Sequence, residues 1–325
     1  MSLWKTIMAT LIVVSGAIRF AMPAMACDKE IEVYPNRPIT LVVGFPPGGM
    51  VDILGRHLAQ AMTAELGQRV VVENRAGATG SVGALAVARS EADGYTIYLS
   101  SSAVMLYLSA QTEPAFQFPE ALAPVGKVAI APSVMVIGNH VEAKTLPDLI
   151  QLAKDHPGRL NMVSPGVNSL GHIFGEIFQE AAGVTLHHIP HQGAAPAFVD
   201  ILGERADLMI TSVPSAWAYI NSNRVRPIAS LTANRLPQLP NIPTMKELGY
   251  PVLESSDWSA IFVPAGTPSH VITRLNSSIN KVLADADVRK QLTGLGYVVK
   301  LPNNTPENLE DLVVQEYGKW RRTLH

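Results

Sequence analysis

Pro38-Ile39-Thr40-Leu41-Val42-Val43-Gly44-Phe45-Pro46-Pro47-Gly48-Gly49-Met50-Val51-Asp52 runs an apolar strand into a Pro-Pro-Gly-Gly turn, and the turn opens directly into a helix. A helix start leaves its first amides without acceptors and carries the positive end of the helix dipole. Such a turn is therefore a concavity suited to a small anion. Gly48 and Gly49 let the backbone approach a ligand with no Cβ in the way. With Gly49 as the N-cap, Asp52 falls at the third helical position, where its carboxylate can accept backbone N–H groups and stiffen the turn. An isolated Pro-Pro-Gly-Gly is equally well a plain strand-to-helix joint. No Gly-Lys-Ser/Thr follows and the Gly-x-Gly-x-x-Gly spacing is missing, which excludes a Walker loop and a dinucleotide fingerprint.

Working outward, residues 39–45 read as a buried strand. Val51, Leu54, Leu58, Met62 and Leu66 then recur at helical spacing up to a stop at Gly67. A strand at 70–73, a glycine-rich loop at 74–80, a helix ending near Arg89 and a strand at 95–99 follow, the last closing on Ser100-Ser101-Ser102. Strands alternating with helices imply a mostly parallel, doubly wound sheet. Residues 134–138 look like a strand leaving a first lobe, and a capped helix begins at Thr145. Strands at 160–163, 206–211 and 225–231, a helix at 196–202, a returning strand at 257–263 and helices near 268–285 and 306–320 complete the pattern.

A second turn of the same type lies at Ser164-Pro165-Gly166-Val167-Asn168-Ser169. It precedes the best-patterned helix of the chain, with Leu170, Ile173, Phe174, Ile177, Phe178 and Ala181 on one face and Gly183 as its stop. Ser164, Asn168, Ser169 and the amide of Gly166 are candidate ligand donors, with Asn168 as N-cap the bland alternative. His172, one turn into that helix, is placed to bond a ligand carboxylate or simply to pack. His187, His188 and His191 cluster without a zinc-motif spacing, and Pro190 prevents a shared helix, so no metal site is expected. Ser100, Ser101 and Ser102 are hydroxyl donors at a strand end but lack a nucleophile elbow. Phe45 and Trp258 read as hinge or core aromatics rather than stacking platforms.

The ends and the composition narrow the function. Residues 1–26 read as a signal peptide: Lys5, an apolar run over 7–18 too short to span, then Ala24-Met25-Ala26. Cys27, the sole cysteine, raises lipid anchoring as the weaker alternative to simple cleavage and rules out an internal disulfide. Removing the leader takes Lys5 and Arg19 but no acid, moving the formal charge from −2 to −4. A mildly acidic chain without a basic cluster is a poor nucleic-acid binder. The remaining residues, roughly 300, suit two lobes.

The chain resembles the substrate-binding proteins of tripartite tricarboxylate transporters, the Bug-type or TctC-like extracytoplasmic receptors. The resemblance covers residues 34–320. It rests on Tyr34-Pro35-Asn36-Arg37-Pro38-Ile39, Pro47-Gly48-Gly49-Met50-Val51-Asp52, Val72-Glu73-Asn74-Arg75-Ala76-Gly77 and Asp93-Gly94-Tyr95-Thr96. His188-Ile189-Pro190-His191-Gln192-Gly193, Pro240-Asn241-Ile242-Pro243-Thr244 and Pro264-Ala265-Gly266-Thr267-Pro268 continue it in the family's order. It implies a two-lobed, periplasmic-binding-protein-like (type II) α/β fold: doubly wound sheets joined by a hinge, with the ligand cleft between the lobes. Lobe 1 would be 34–135 plus 258–325, and lobe 2 would be 136–257. One ligand carboxylate would be gripped between residues 45–52 and 164–169 by backbone amides and ordered waters, with Ser101 and Thr211 flanking the far end. Two positions depart from the family pattern: Pro190-His191-Gln192-Gly193 stands for Pro-Tyr-Lys-Gly, and Met50-Val51 for smaller or polar residues.

The expected function is a periplasmic receptor that captures a small organic acid for the membrane subunits of a tripartite transporter, as a monomer, without cofactor or catalysis. The ligand set is Phe45, Gly48, Gly49, Asp52, Ser101, Ser164, Gly166, Asn168, Ser169, His172, His191 and Thr211, with His191 a candidate for tuning affinity near neutral pH. A periplasmic sensor that presents the same closed form to a signalling partner is the alternative. A hydrolase using Ser101 or Ser164 with a histidine is the enzyme rival.

Overall fold

The computed structural model describes residues 34–324 apart from 110, 112–115, 255, 300 and 301. The expected signal peptide and Cys27 lie outside the described residues.

Strands β1 (Ile39–Val43), β2 (Val70–Asn74) and β3 (Thr96–Ser101) pair in parallel, with β1 in the middle. Helix α1 (Met50–Leu66) links the first two, and α2 (Ser81–Ala88) leads to the third. Gly67 closes α1 in the left-handed conformation with φ 68°, and its amide returns to the Thr63 carbonyl. Beyond β3 come α3 (Ser102–Ser109) and the short α4 (Phe118–Ala121), and then β4 (Leu122–Gly138), a strand of 17 residues.

β4 decides the architecture. Its first part pairs antiparallel with β9 (Ser256–Pro264), from Leu122 with Pro264 to Pro132 with Ser256. From Ser133 onward it pairs antiparallel with β7 (Leu208–Ser212) and β8 (Val225–Ser230) instead. One strand thus belongs to both lobes. The second lobe adds α5 (Leu146–Asp155), β5 (Asn161–Ser164), α6 (Leu170–Ala182), β6 (His187–Pro190), α7 (Ala194–Leu202) and α8 (Val213–Asn221). Here β5 pairs in parallel with β6 and β7. The chain returns through β9, antiparallel to β3, to α9 (Ser269–Ala284), α10 (Ala286–Gly294) and α11 (Pro306–Leu324).

Strand alternation explains the core. Leu41, Val43, Ile97 and Leu99 pack with Leu54, Leu58 and Met62 of α1 and Leu275 and Ile279 of α9. Val42, Tyr98 and Phe262 face the other way, onto Phe118, Val313 and Tyr317. In β4 the same period puts Met135 and Ile137 with Phe174 and Phe178, and Val134 and Val136 with Phe198 and Met209. Each fully buried large side chain contributes on the order of 2 kcal/mol.

Four expectations need correction. The strand at 134–138 is the end of a longer one, because Pro124 and Pro132 within it masked the extended run at the sequence level. The sheet is mixed rather than mostly parallel, since each strand that crosses between lobes must return. His187–Pro190, given no element in the sequence reading, forms an edge strand. Helices α3, α4, α8 and α10 escaped notice. α3 is buried on nearly every side, so no amphipathic stripe marks it.

Candidate functional site

The β1–α1 turn is built by α1 and its first carboxylate. Gly49 is the N-cap (φ −81°, ψ 167°) and has no side-chain cap, so the opening amides of α1 have no acceptor inside the helix. Gly48 takes φ 81°, a left-handed conformation that suits glycine. Asp52 accepts the Gly48 amide (2.9 Å), Arg56 Nε (3.0 Å) and Asn74 Nδ2 (2.9 Å). Asn74 also donates to the Phe45 carbonyl at 3.0 Å, tying β2 to the turn. Burial would raise the Asp52 carboxyl pKa, but the Arg56 guanidinium, the Gly48 amide and Asn74 outweigh it and hold the group below its ordinary value.

The second turn is organised by histidines. Ser169, not Asn168, is the N-cap of α6, its hydroxyl accepting the His172 amide at 3.3 Å. Asn168 stands one residue outside the cap at φ 60°, and its amide donates to Nδ1 of His172 at 3.1 Å. The His172 and His188 rings stack at 4.2 Å, and His188 Nε2 lies 2.8 Å from Ser164 Oγ. Burial, helped by neighbouring His172, lowers the His188 pKa, which favours the neutral ring. The loop after β6 braces this turn through Gly193 N to Pro165 O (2.9 Å) and His191 N to Ser164 O (3.0 Å).

Both turns open on one cavity of about 750 Å³. Phe45, Gly49, Met50 and Val51 line it from the first turn, and Gly166, Asn168, Ser169 and Leu170 from the second. Ser101, Ser133, Thr211 and Asp257 line it from strands β3, β4, β7 and β9. Gly193 of one turn comes close to Pro46 of the other: an added Cβ would stand 3.5 Å from Pro46 Cγ. Among the described lining residues none is Lys, Arg or His, and Asp257 is the one carboxylate. A bound anion is therefore met by neutral donors rather than by a countercharge.

Of the residues expected from sequence, Phe45, Gly49, Ser101, Gly166, Asn168, Ser169 and Thr211 line this cavity, and Gly48, Asp52, Ser164, His172 and His191 do not. Asp52 and His172 hold the turns from behind, while Ser164 is fully buried beside His188. His191 Nε2 lies 3.1 Å from Asp200 Oδ2 of α7, on its own lobe, but without hydrogen-bond geometry. Sequence reasoning missed residues 76–80, where Gly77, Ala78, Thr79 and Gly80 all have positive φ, and Asp257, Ser133 and Gln192. The glycine-rich 74–80 segment was a visible signal. Asp257 carried none, because its place depends on β9 returning beside β3.

Two mixed α/β lobes sharing long crossing strands, with a donor-lined cleft, define the periplasmic-binding-protein class. The chain belongs to the family described as "Tripartite tricarboxylate transporter family receptor", which matches residues 54–325. It is 36% identical over 315 residues to protein BugT of Bordetella pertussis, covering 96% of each chain. The solved periplasmic binding protein BugD superposes with a TM-score of 0.84 at 34% identity, over 89% of this chain and 97% of that one. An R. palustris protein solved with adipate superposes at 0.83 with 28% identity, over 89% and 96%.

Proposed function

We propose that the protein is exported to the periplasm, captures a small organic carboxylate between lobes comprising 34–135 plus 258–325 and 136–257, and presents it to the membrane subunits of a tripartite transporter. The observation that carries this is the convergence of two helix starts, those of α1 and α6, on one cavity without a lining cation. Amides at a helix N-terminus bind carboxylate well, each charge-assisted bond contributing about 1.5–3 kcal/mol. The family relative solved with adipate supports a carboxylate ligand. Gly49 through its amide, and Asn168 and Ser169 through their side chains, would meet the carboxylate beside Gly166, Phe45 would close over it, and Gly48, Asp52, Ser164, His172 and His191 would hold the surrounding loops.

The bond between Ser164 and His188 is the feature most like a catalytic dyad. Ser164 is 0% exposed and its hydroxyl donates to the Gly166 carbonyl at 3.0 Å, so its role is to set the loop. A fluorophosphonate probe is expected to leave the folded protein unlabelled.

Thermal-shift measurements with mono-, di- and tricarboxylates test the proposal. A ligand at about a hundred times its Kd stabilises by about 2.7 kcal/mol, a rise of several degrees. Gly49→Pro should abolish that rise, since φ −81° suits proline itself while the change removes an amide hydrogen and restricts Gly48, held at φ 81°, before it. A panel that moves neither protein, or a Gly49→Pro protein that binds normally, would refute the proposal.

A further inference from the structure

Asp257 is the acid in the cavity wall. It is 5% exposed at the start of β9, and its Oδ1 accepts both the amide (3.1 Å) and the hydroxyl (2.6 Å) of Ser102. Beside it, Ser101 Oγ is buried with no hydrogen-bond partner although its residue lines the same cavity. An unpartnered buried hydroxyl at a ligand cavity wants a ligand atom. Ser133 stands where β4 passes from one lobe to the other, and Thr211 lies on β7; they add two further hydroxyls to this wall.

Among the described residues that line the cavity with Asp257, none is Lys, Arg or His. Glu316 of α11, bonded to Trp258 Nε1 at 3.0 Å, interacts with it unfavourably, and the Tyr297 phenol is coupled to it. Tyr107 lines the cavity from α3. Burial pushes the Asp257 carboxyl up to about 7, against the opposing Ser102 bonds.

A ligand held by one carboxylate at the helix amides would therefore meet, elsewhere in the cavity, one buried carboxylate acceptor among hydroxyls that can donate or accept. We infer that the site takes a monocarboxylate carrying a hydrogen-bond donor, hydroxyl or ammonium, at its other end, with Asp257 as the acceptor and Ser101 as the second partner. A second carboxylate at that end is disfavoured whenever Asp257 is ionised. This rests on the cleft being the carboxylate site proposed above.

Calorimetric titration with two matched sets tests it: butyrate, succinate, 4-hydroxybutyrate and 4-aminobutyrate, and their six-carbon counterparts including adipate. At about pH 8.5, well above the Asp257 value, a donor-bearing acid of one length should bind at least about tenfold tighter than its methyl and carboxylate counterparts. Near pH 5.5 the diacids should gain on it as Asp257 takes its proton. Asp257→Asn, which keeps an acceptor for Ser102, should erase the ammonium preference and the pH dependence. Ser101→Ala, which removes an unpaired hydroxyl, should keep full stability and weaken only the donor-bearing acids.

Diacids ranking first at high pH, or an order untouched by either variant, would overturn the inference. Gly49→Pro separates the two levels. Binding lost in that variant with an order indifferent to Asp257 sinks only this inference. Binding retained in it, or no binding by the unaltered protein, sinks the carboxylate site and this inference with it.

Discussion

Asp52 gathers the Gly48 amide, the Arg56 guanidinium and the Asn74 amide around one buried carboxylate, and so fixes the turn that opens α1. The Gly48 and Arg56 partners are legible in sequence, because an N3 acid and an i,i+4 arginine are local relations. Asn74, 22 residues away, and Tyr297, whose hydroxyl donates to the Met50 carbonyl, are supplied by β2 and the segment after α10. Asp52→Asn should cost roughly 1–2 kcal/mol in urea unfolding near pH 7, toward the lower end for charge-assisted bonds because Arg56 is half exposed. The carboxyl pKa is lowered on folding, so its stabilisation is complete above the ordinary carboxylate range and is lost as pH falls through the lowered value. The deficit of the variant should accordingly shrink in acid.

Helix α6 shows what an element adds. The apolar stripe and Gly183 stop were readable from spacing, but the N-cap is Ser169 rather than Asn168, because its hydroxyl accepts the His172 amide while Asn168 turns away at φ 60°. The start of α6 sits tightly on β7: a Cβ on Gly171 would lie 2.3 Å from the Ile210 carbonyl oxygen. Gly171→Ala should destabilise by about 1–3 kcal/mol and weaken carboxylate binding at least about tenfold, by displacing the helix start. Gly183→Ala, at φ 62° with nothing within 4 Å of the added Cβ, is the contrast. It should cost about 1 kcal/mol through backbone strain alone, with affinity unchanged. Calorimetry and denaturation on both variants check the pair.

At the scale of the molecule, β4 leaves β9 at Pro132 and joins β7 at Ser133, and Asp257 stands opposite Ala131 at that crossing. The strands that join the lobes thus bring the buried acid to the cavity wall. Folding raises the Asp257 pKa from its ordinary value to about 7, so the folded state holds the proton more tightly than the unfolded chain. Its contribution to stability therefore falls as pH climbs from about 4 to 7, with a slope of up to about 1.4 kcal/mol per unit. Asp257→Asn should lack that slope. Denaturant midpoints of both proteins across this range read the difference directly.

By itself the sequence determined the repeated strand–turn–helix units, the two glycine and serine turns at helix starts, and the family pattern. These are set by spacing over a few residues, where periodicity, capping and glycine conformation act. Only the tertiary structure decided that both turns open on one cavity, that β4 serves two lobes, that His172 and His188 brace Ser164 and Asn168, and that Asp257 and Ser101 share the wall. Apart from the four-residue reach of His172 to Asn168, those relations join residues tens to hundreds of positions apart, and pairing strands brings them together by burying apolar faces whose pattern does not encode which partner each will meet.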